Sequence, residues 1–165
     1  MHCLWTTLSK RSRSTRRGTN VALVFLDVDR FKRVNDRFGH GVGDQLLQAV
    51  AQRLQLTARR IDTVARLGGD EFAVVCEDSA TTVDAMTAAR RLADAFVDRI
   101  EVAGAGVSAS VSLGVAVAEP GEDAATVLRH ADLAMYRAKK AGRARFEVWG
   151  EHGEAVEPRL MDAGG

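Results

Sequence analysis

The spacing of apolar positions divides the first half of the chain into predicted strands and helices. Val21–Leu26 is a continuous apolar run, which is typical of a strand buried on both faces. Apolar residues at helical spacing follow over about Asp29–Phe38 and Gly43–Arg59, so we expect two helices there. Two short apolar stretches then flank Gly68 and Gly69, and this pair predicts a two-residue hairpin turn.

The second half of the chain predicts two more helices and two more strands. Val83–Ile100 has apolar residues at helical spacing and indicates a long amphipathic helix, and Val107–Val117 indicates a strand. Asp123 is the expected N-cap of a helix that Gly142 ends, and Phe146–Trp149 is a last short strand. The order is β-α-α-β-β-α-β-α-β. A hairpin in the middle excludes a purely parallel sheet, so we expect an α+β fold with a mixed, largely antiparallel five-stranded sheet flanked by helices.

Composition indicates a soluble globular protein. The 165 residues fit one domain, and 46% apolar with 27% charged residues is ordinary for that class. The net charge of +1 argues against a general nucleic-acid binder, and no apolar run reaches the length of a membrane span. Cys3 and Cys76 lack the spacing of a metal site, and Cys76 is expected to be a buried apolar residue. We expect a cytoplasmic protein with no signal peptide.

The two ends of the chain differ from the central residues 21–149, which we predict to be one domain. Residues 1–20 are rich in Ser, Thr and basic side chains, with no acid before Asp27. We expect a poorly ordered arm there, with a phosphate-binding arm as the alternative. Residues 150–165 are polar and end in glycine, so we expect a disordered tail.

The predicted hairpin carries candidate chemistry in the run from Arg66 to Phe72. Asp70 and Glu71 stand beside a glycine tip that leaves the backbone open to a ligand, and carboxylate oxygens suit a hard cation such as Mg²⁺. Asp27 follows a buried strand and needs a partner for its charge. If that strand neighbours the hairpin, Asp27 and Asp70 meet and could align a hydroxyl and a phosphate for in-line displacement. An ordinary hairpin with a solvated acidic edge is the alternative.

Residues that suit phosphate groups occur at two places. Backbone N–H groups around Arg30 and Phe31 begin a helix and could cradle phosphates, with Lys32 close behind. Lys139 and Arg143 are four residues apart on one helix face and could supply cations. The alternative for the last two is a pair of solvated charges that match the helix dipole.

Two further residues suit a guanine base. The Asn35 amide can pair with O6 and N7, and the Asp44 carboxylate can accept hydrogen bonds from N1–H and N2–H₂. Each has a simpler interpretation, because Asn35 could be a helix cap and Asp44 an acid near a helix N-terminus.

Several separated segments, in a fixed order, resemble one known family. The segments are Asp27-Val-Asp-Arg-Phe-Lys-Arg-Val-Asn-Asp-Arg-Phe-Gly-His40, Gly43-Asp44, Arg66-Leu-Gly-Gly-Asp-Glu-Phe72, Ser110–Ala116 and Ala131–Arg143. They resemble the GGDEF domain of diguanylate cyclases over Val21 to Trp149. The family's Asp-x-Leu-Thr turn and Asn-Arg pair are missing from the first twenty residues, and Ala144 stands where Asn is common. We therefore expect a fragment or a start-site variant that lacks an upstream regulatory domain.

The resemblance implies a palm-like fold, as in polymerases and nucleotidyl cyclases, and an enzyme that condenses two GTP into cyclic di-GMP and two pyrophosphates. It implies Mg²⁺, with Mn²⁺ as an alternative, held by Asp27, the Val28 carbonyl and Asp70. Glu71 would share the metal or help to deprotonate the 3′-hydroxyl. The implied substrate residues are Arg30, Phe31, Lys32, Asn35, His40, Asp44, Gly68, Gly69, Lys139 and Arg143. Each domain would hold one GTP, so catalysis requires a homodimer.

The resemblance also implies a second site, for feedback inhibition by the product. Arg59-x-x-Asp62 ends shortly before the hairpin, and in the family this motif binds cyclic di-GMP. An arginine can fork onto a guanine edge or a phosphate, and Arg90 is a candidate second arginine. The alternative function is a non-catalytic receptor for cyclic di-GMP or GTP.

Overall fold

The chain folds around one mixed β-sheet in a computed structural model that describes residues 21–79, 81–98, 100–102, 105–107, 109–150 and 155–156. Eight strands occur in these residues: β1 Ala22–Val28, β2 Thr63–Gly68, β3 Glu71–Cys76, β4 Ile100–Val102, β5 Ala105–Val107, β6 Val111–Val117, β7 Phe146–Trp149 and β8 Ala155–Val156. Four helices accompany them: α1 Phe31–Phe38, α2 His40–Thr57, α3 Thr82–Asp94 and α4 Ala124–Lys140. The predicted arm over residues 1–20 lies outside the described residues, as does most of the predicted tail.

The sheet confirms the predicted fold class. Its strand order is β2-β3-β1-β6-β7-β8, with β1 antiparallel to both β3 and β6 and with β6 parallel to β7. The first five strands of this order are the five that the sequence predicts. The two-residue strand β8 pairs with β7 and lies in the segment for which we expected no structure. The central position of β1 places its C-terminal end between β3 and β6.

Side chains of β1 alternate between two cores. Val24 and Leu26 pack in the core that α1, α2 and α3 cover, whereas Leu23 and Phe25 pack in the core that α4 covers. Both faces of β1 are therefore buried, as a continuous apolar run predicts. Cys76 is buried as expected, and burial raises the pKa of its thiol to about 12. No helix within the described ranges has both the length and the apolar character needed to cross a bilayer.

The stretch from α3 to β6 differs from the prediction. Helix α3 begins with a capping box between Thr81 and Asp84 and ends at Asp94, whereas the sequence predicted a helix as far as Ile100. Ile100 belongs to β4, which pairs with β5 in a small separate hairpin, and the predicted strand Val107–Val117 is divided between β5 and β6. The helical spacing extended too far because Phe96 and Ile100, beyond the helix, are buried in the same core.

Candidate active site

The C-terminal end of β1 brings three acids together. Asp27 lies opposite Glu71 of β3 and opposite Ser112 of β6, and it is 8% exposed. The next residue, Val28, donates its backbone N–H to the Asp70 carbonyl oxygen at 3.2 Å. β1 therefore does neighbour the hairpin, and Asp27, Asp70 and Glu71 lie at one edge of the sheet.

The hairpin turn is one residue later than the sequence predicted. Gly68 is the last residue of β2 and pairs with Glu71, so the two central residues of the turn are Gly69 and Asp70. Gly69 has φ +50°, which explains glycine at that position. The strand register shifts between Arg66 and Gly68, and this irregularity moves the turn. As a result Asp70 stands at the tip instead of beginning a strand.

Arg66 fixes the tip of the hairpin. Its side-chain Nε and Nη2 both donate to the Gly69 carbonyl oxygen, at 2.9 and 2.7 Å. A side-chain carbon added at Gly68 or Gly69 would meet no described residue within 4 Å other than its chain neighbours, so the space over the tip is open. The turn is therefore held in place while its outer surface stays accessible to a ligand.

A lysine from the last helix lies beside the acids. Lys139 Nζ is 2.8 Å from Asp27 Oδ2. Burial is the main reason that the pKa of Asp27 lies above its ordinary value of 3.8, and the hydrogen bond from Lys139 opposes this shift. Burial also raises the pKa of Glu71 from 4.5, and the negative charges of Asp27 and Asp70 add to the shift. The crowded negative charge at this edge favours a bound cation.

The acids fit a metal that takes most of its ligands from elsewhere. No group of three or more His, Cys, Asp or Glu side chains in the described part of the chain could hold a metal ion by itself. Mg²⁺ commonly uses one or two carboxylates and completes its shell with water and substrate phosphates. Asp27 and Asp70 offer this kind of donor set.

The beginning of α1 has the features of an anion site. Arg30 precedes the helix in the left-handed conformation, at φ +57°, and no side chain caps the first turn. The first N–H groups of a helix need partners from outside it, and the helix dipole favours a negative one. Phe31 is half-buried at the first helical position, and the Lys32 side chain is exposed. Arg143 is also exposed and left-handed, at φ +67°.

Asn35 has the clearest unmet hydrogen-bonding capacity in the region. Its Oδ1 atom is buried and has no hydrogen-bond partner among the residues that the structure describes. Helix α2 packs so closely that a side-chain carbon at Gly43 would overlap this oxygen and lie 3.2 Å from the Phe31 ring. Asp44 follows Gly43, and both Asp44 and His40 are exposed on the first turns of α2. A buried amide without a partner is costly, so Asn35 is suited to a polar ligand.

The predicted inhibitory motif consists of an exposed arginine and a buried acid. Arg59 is exposed, but the Asp62 side chain is only 1% exposed. Its carboxylate accepts hydrogen bonds from the backbone N–H groups of Arg59, at 2.8 Å, and Glu77, at 3.3 Å. The arginine that pairs with Asp62 is Arg91, at 3.5 Å, whereas Arg90 is exposed.

Two residues that hold these segments together, Asp29 and Arg91, were not singled out by the sequence analysis. Asp29 is 7% exposed and accepts hydrogen bonds from Ser110 and Ser112, far along the chain. The sequence pattern of α3 could have indicated that Arg91 lies close to the buried face of the helix. Arg91 is three residues after Ala88 and next to Leu92, and both of these residues are buried. The sequence gives less indication of the role of Asp29, because an acid at this position is equally typical of the beginning of a helix.

Comparison with known proteins identifies the family of this α+β palm-like domain. The family profile described as "Diguanylate cyclase, GGDEF domain" matches residues 2–145. The chain belongs to the GGDEF-domain family.

Relatives support this assignment over most of the chain. Diguanylate cyclase TpbB of Pseudomonas aeruginosa is 38% identical over 143 residues, which are 86% of this chain and 32% of that protein. The signaling protein YkoW of Bacillus subtilis is 38% identical over 132 residues, which are 79% of this chain and 16% of that protein. The chain therefore spans about a third or less of the length of these relatives.

Solved structures share the fold. The crystal structure of the TpbB GGDEF domain has a TM-score of 0.85 and 36% identity, covering 89% of this chain and 93% of that one. The GGDEF domain of DgcB from Caulobacter crescentus, solved in complex with c-di-GMP, has a TM-score of 0.76 and 32% identity, covering 87% of this chain and 85% of that one.

Proposed function

We propose that this chain is a diguanylate cyclase domain that condenses two GTP into cyclic di-GMP and two pyrophosphates. The observation that carries the proposal is the meeting of Asp27, Asp70 and Glu71 at the end of β1, beneath an open hairpin tip. The 38% identity to diguanylate cyclase TpbB supports the same chemistry for this chain.

The proposed reaction assigns the acids of the site to metal binding and to proton transfer. Asp27, Asp70 and the Val28 carbonyl would hold Mg²⁺ or Mn²⁺, which would neutralise phosphate charge and favour ionisation of the attacking hydroxyl. Glu71, whose pKa is raised, is suited to share the metal or to take the proton of the 3′-hydroxyl. The 3′-oxygen of each GTP attacks the α-phosphorus of the other, so two phosphodiester bonds form, each displaces one pyrophosphate, and each hydroxyl proton passes to a base such as Glu71.

The remaining site residues would bind and orient GTP. Phosphates would lie against the uncapped start of α1 and the side chains of the basic residues, and guanine against the amide of Asn35 and the carboxylate of Asp44. The full proposed set is Arg30, Phe31, Lys32, Asn35, His40, Asp44, Gly68, Gly69, Lys139 and Arg143. The buried Oδ1 of Asn35, which has no partner among the described residues, needs a hydrogen-bond donor, and the N2–H₂ group of guanine is such a donor.

Two facing copies of the domain would be required, because one site holds one GTP. Purified protein with GTP and Mg²⁺ should form cyclic di-GMP, and the rate per monomer should rise with protein concentration. Chromatographic quantification of product over a concentration series measures both. GTP binding without product at high protein concentration would contradict the proposal and would favour a receptor function.

Product inhibition through Arg59 and Asp62 is also proposed. The exposed Arg59 side chain supports it, whereas the buried Asp62 carboxylate would have to exchange its internal partners to reach a guanine. Calorimetric titration of cyclic di-GMP into wild type and Arg59→Ala tests this directly. Equal affinity of the two proteins would place the product elsewhere.

Gly43→Ala should weaken GTP binding without unfolding the protein. The added carbon overlaps Asn35 Oδ1, so the end of this flexible side chain must turn away. Loss of a hydrogen bond to the base should reduce the affinity for a GTP analogue about tenfold. Gly41→Ala is the matched control on the same helix, since its added carbon meets nothing within 4 Å. Similar affinities for both variants would disprove the proposed position of the base.

When the pH is lowered, this site should lose its metal at a higher midpoint pH than a site made of carboxylates with ordinary pKa values. A raised pKa means that Asp27 and Glu71 take up protons above 3.8 and 4.5, and a protonated carboxyl no longer binds the cation. Because Lys139 lowers the pKa of Asp27, Lys139→Gln should shift the loss to still higher pH. Mn²⁺ titrations over a pH series measure the midpoint.

Lys140→Gln is the matched control for this prediction. Lys140 lies over the Tyr136 ring at 4.7 Å and is exposed, so its replacement should leave the midpoint unchanged. A midpoint for Lys139→Gln that stays at the wild-type pH, or moves to lower pH, would contradict the assigned role of the ion pair.

A further inference from the structure

Asp29 is a buried acid that the proposed chemistry does not use. Its Oδ2 accepts hydrogen bonds from Ser110 Oγ at 2.7 Å and from the Ala144 backbone N–H at 3.1 Å, and its Oδ1 accepts from Ser112 Oγ at 2.7 Å. Its own N–H donates to the Ser110 carbonyl oxygen at 2.9 Å. These four residues, the Asp29 network, join the end of β1, the beginning of β6 and the loop after α4.

The loop held by this network has an unfavourable backbone. Arg143 and Ala144 have φ values of +67° and +50°, so two successive residues with side chains adopt the left-handed conformation. Bulkier L-residues visit this region rarely, and a run of two needs support from the surrounding structure. The Ala144 N–H bond to Asp29 is such a support. Removing it favours a return of the loop to ordinary dihedral angles.

The loop conformation decides where Arg143 points. Asp29, Arg30, Ser110, Arg143 and Ala144 line one cleft of about 960 Å³. Among the described residues, none forms an ion pair with Arg143, so its guanidinium is available to a ligand anion. The cleft therefore combines Arg143, the residue that precedes α1 (Arg30) and the acid that fixes the backbone at Ala144.

We propose that Asp29 is a positioning residue that acts through Arg143, holding it where it can meet the nucleotide phosphates. The inference rests on the proposed function, because the phosphate role of Arg143 belongs to that proposal. Asp29 itself touches no substrate in this scheme. The negative charge of a free Asp29 side chain would repel phosphates. Its oxygens instead accept three hydrogen bonds from within the protein, which direct them inward.

The test is a double-mutant cycle between Asp29→Asn and Arg143→Ala. Asparagine keeps the shape of the side chain but weakens the bond to the Ala144 N–H. Asp29→Asn should raise the KM for GTP about fivefold and change kcat less than about twofold. Arg143→Ala should raise the KM about tenfold or more, and the double variant should be no worse than Arg143→Ala alone. Calorimetry with a non-hydrolysable GTP analogue should reproduce the same pattern without turnover.

A second pair of variants separates positioning from simple loss of stability. Asparagine adopts the left-handed conformation several times more often than most residues, so Ala144→Asn should restore the KM of Asp29→Asn. Ala144→Thr in the otherwise wild-type protein should raise the KM, since β-branched residues disfavour this conformation. This second variant keeps the proposal testable even if Asp29→Asn fails to fold.

Three outcomes are distinguishable. An unchanged KM for Arg143→Ala would overturn the phosphate role of Arg143 and this inference with it. Arg143→Ala could raise the KM strongly while the double variant shows the product of the two single increases in KM. This result would overturn the inference and leave the proposed function standing. A fall in kcat and thermal stability at unchanged KM, without rescue by Ala144→Asn, would show that Asp29 only stabilises the fold.

Discussion

Asp70→Asn should lower the turnover of GTP to cyclic di-GMP by about a thousandfold, which corresponds to the several kcal/mol that a bound metal contributes to charge stabilisation. Asp70 stands at the hairpin tip, and its backbone carbonyl oxygen accepts the Val28 N–H at 3.2 Å. Asparagine keeps this backbone bond and the size of the side chain. The variant therefore removes one negative charge and one oxygen ligand while the hairpin stays folded.

Quantified cyclic di-GMP and Mn²⁺ affinity together measure the effect. Asp78→Asn is the matched control, because Asp78 is exposed and lies just after β3 with φ +53°, a conformation that asparagine tolerates well. It makes the same chemical change away from the proposed metal site and should preserve both quantities. If Asp70→Asn retained more than about a tenth of wild-type turnover, Asp70 would not be an essential metal ligand.

The parts of the site that lie within one element could be predicted from the sequence. A continuous apolar run followed by Asp27 indicates a buried strand that ends in an acid, and β1 has this form. Lys139 and Arg143 were placed together by helical spacing. Only Lys139 is on α4, which ends at Lys140, and Arg143 follows in a left-handed loop that spacing cannot indicate.

The hairpin tip could not be predicted because its register depends on packing. Gly68-Gly69 looks like a complete turn, yet the register shift after Arg66 moves the turn to Gly69-Asp70. Leu67, within this irregularity, packs against the core that α4 covers. A local sequence pattern carries no information about that contact, and a slip of one residue decides whether Asp70 lies in a strand or at the tip.

The sequence analysis also did not predict contacts between segments that are far apart in the chain. The serines that hold Asp29 lie 81 and 83 residues further along the chain. The pairing of Asp62 with Arg91 depends on the rotation of α3, which buried Ala88, Ala89 and Leu92 set. The apolar pattern can predict which face of a helix is buried. It cannot predict the strand order that places β6 beside β1.

Gly114→Ala should destabilise the protein more than any other single glycine replacement considered above. Gly114 lies in β6 between Phe25 of β1 and Glu147 of β7, with α4 packed across it. An added carbon would overlap the backbone carbonyl oxygen of Ala131 and the backbone nitrogen of Met135. Backbone atoms of a packed helix cannot turn aside as the end of a side chain can. We expect a loss of about 3 kcal/mol or more, on the scale of severe overpacking.

Thermal unfolding measures this loss, and a fall in Tm of about 10 °C is expected for a domain of this size. Gly121→Ala is the control that separates steric overlap from backbone strain, because Gly121 has φ +88° but no described neighbour within 4 Å. This variant should lower the free energy of unfolding by only about 1 kcal/mol. A Gly114→Ala variant as stable as Gly121→Ala would show that α4 can move away from the sheet. Lys139 lies one turn beyond Met135 on this helix, so such movement would also weaken the 2.8 Å contact with Asp27. The close approach at Gly114 thus connects the packing of the domain to the geometry of its acidic site.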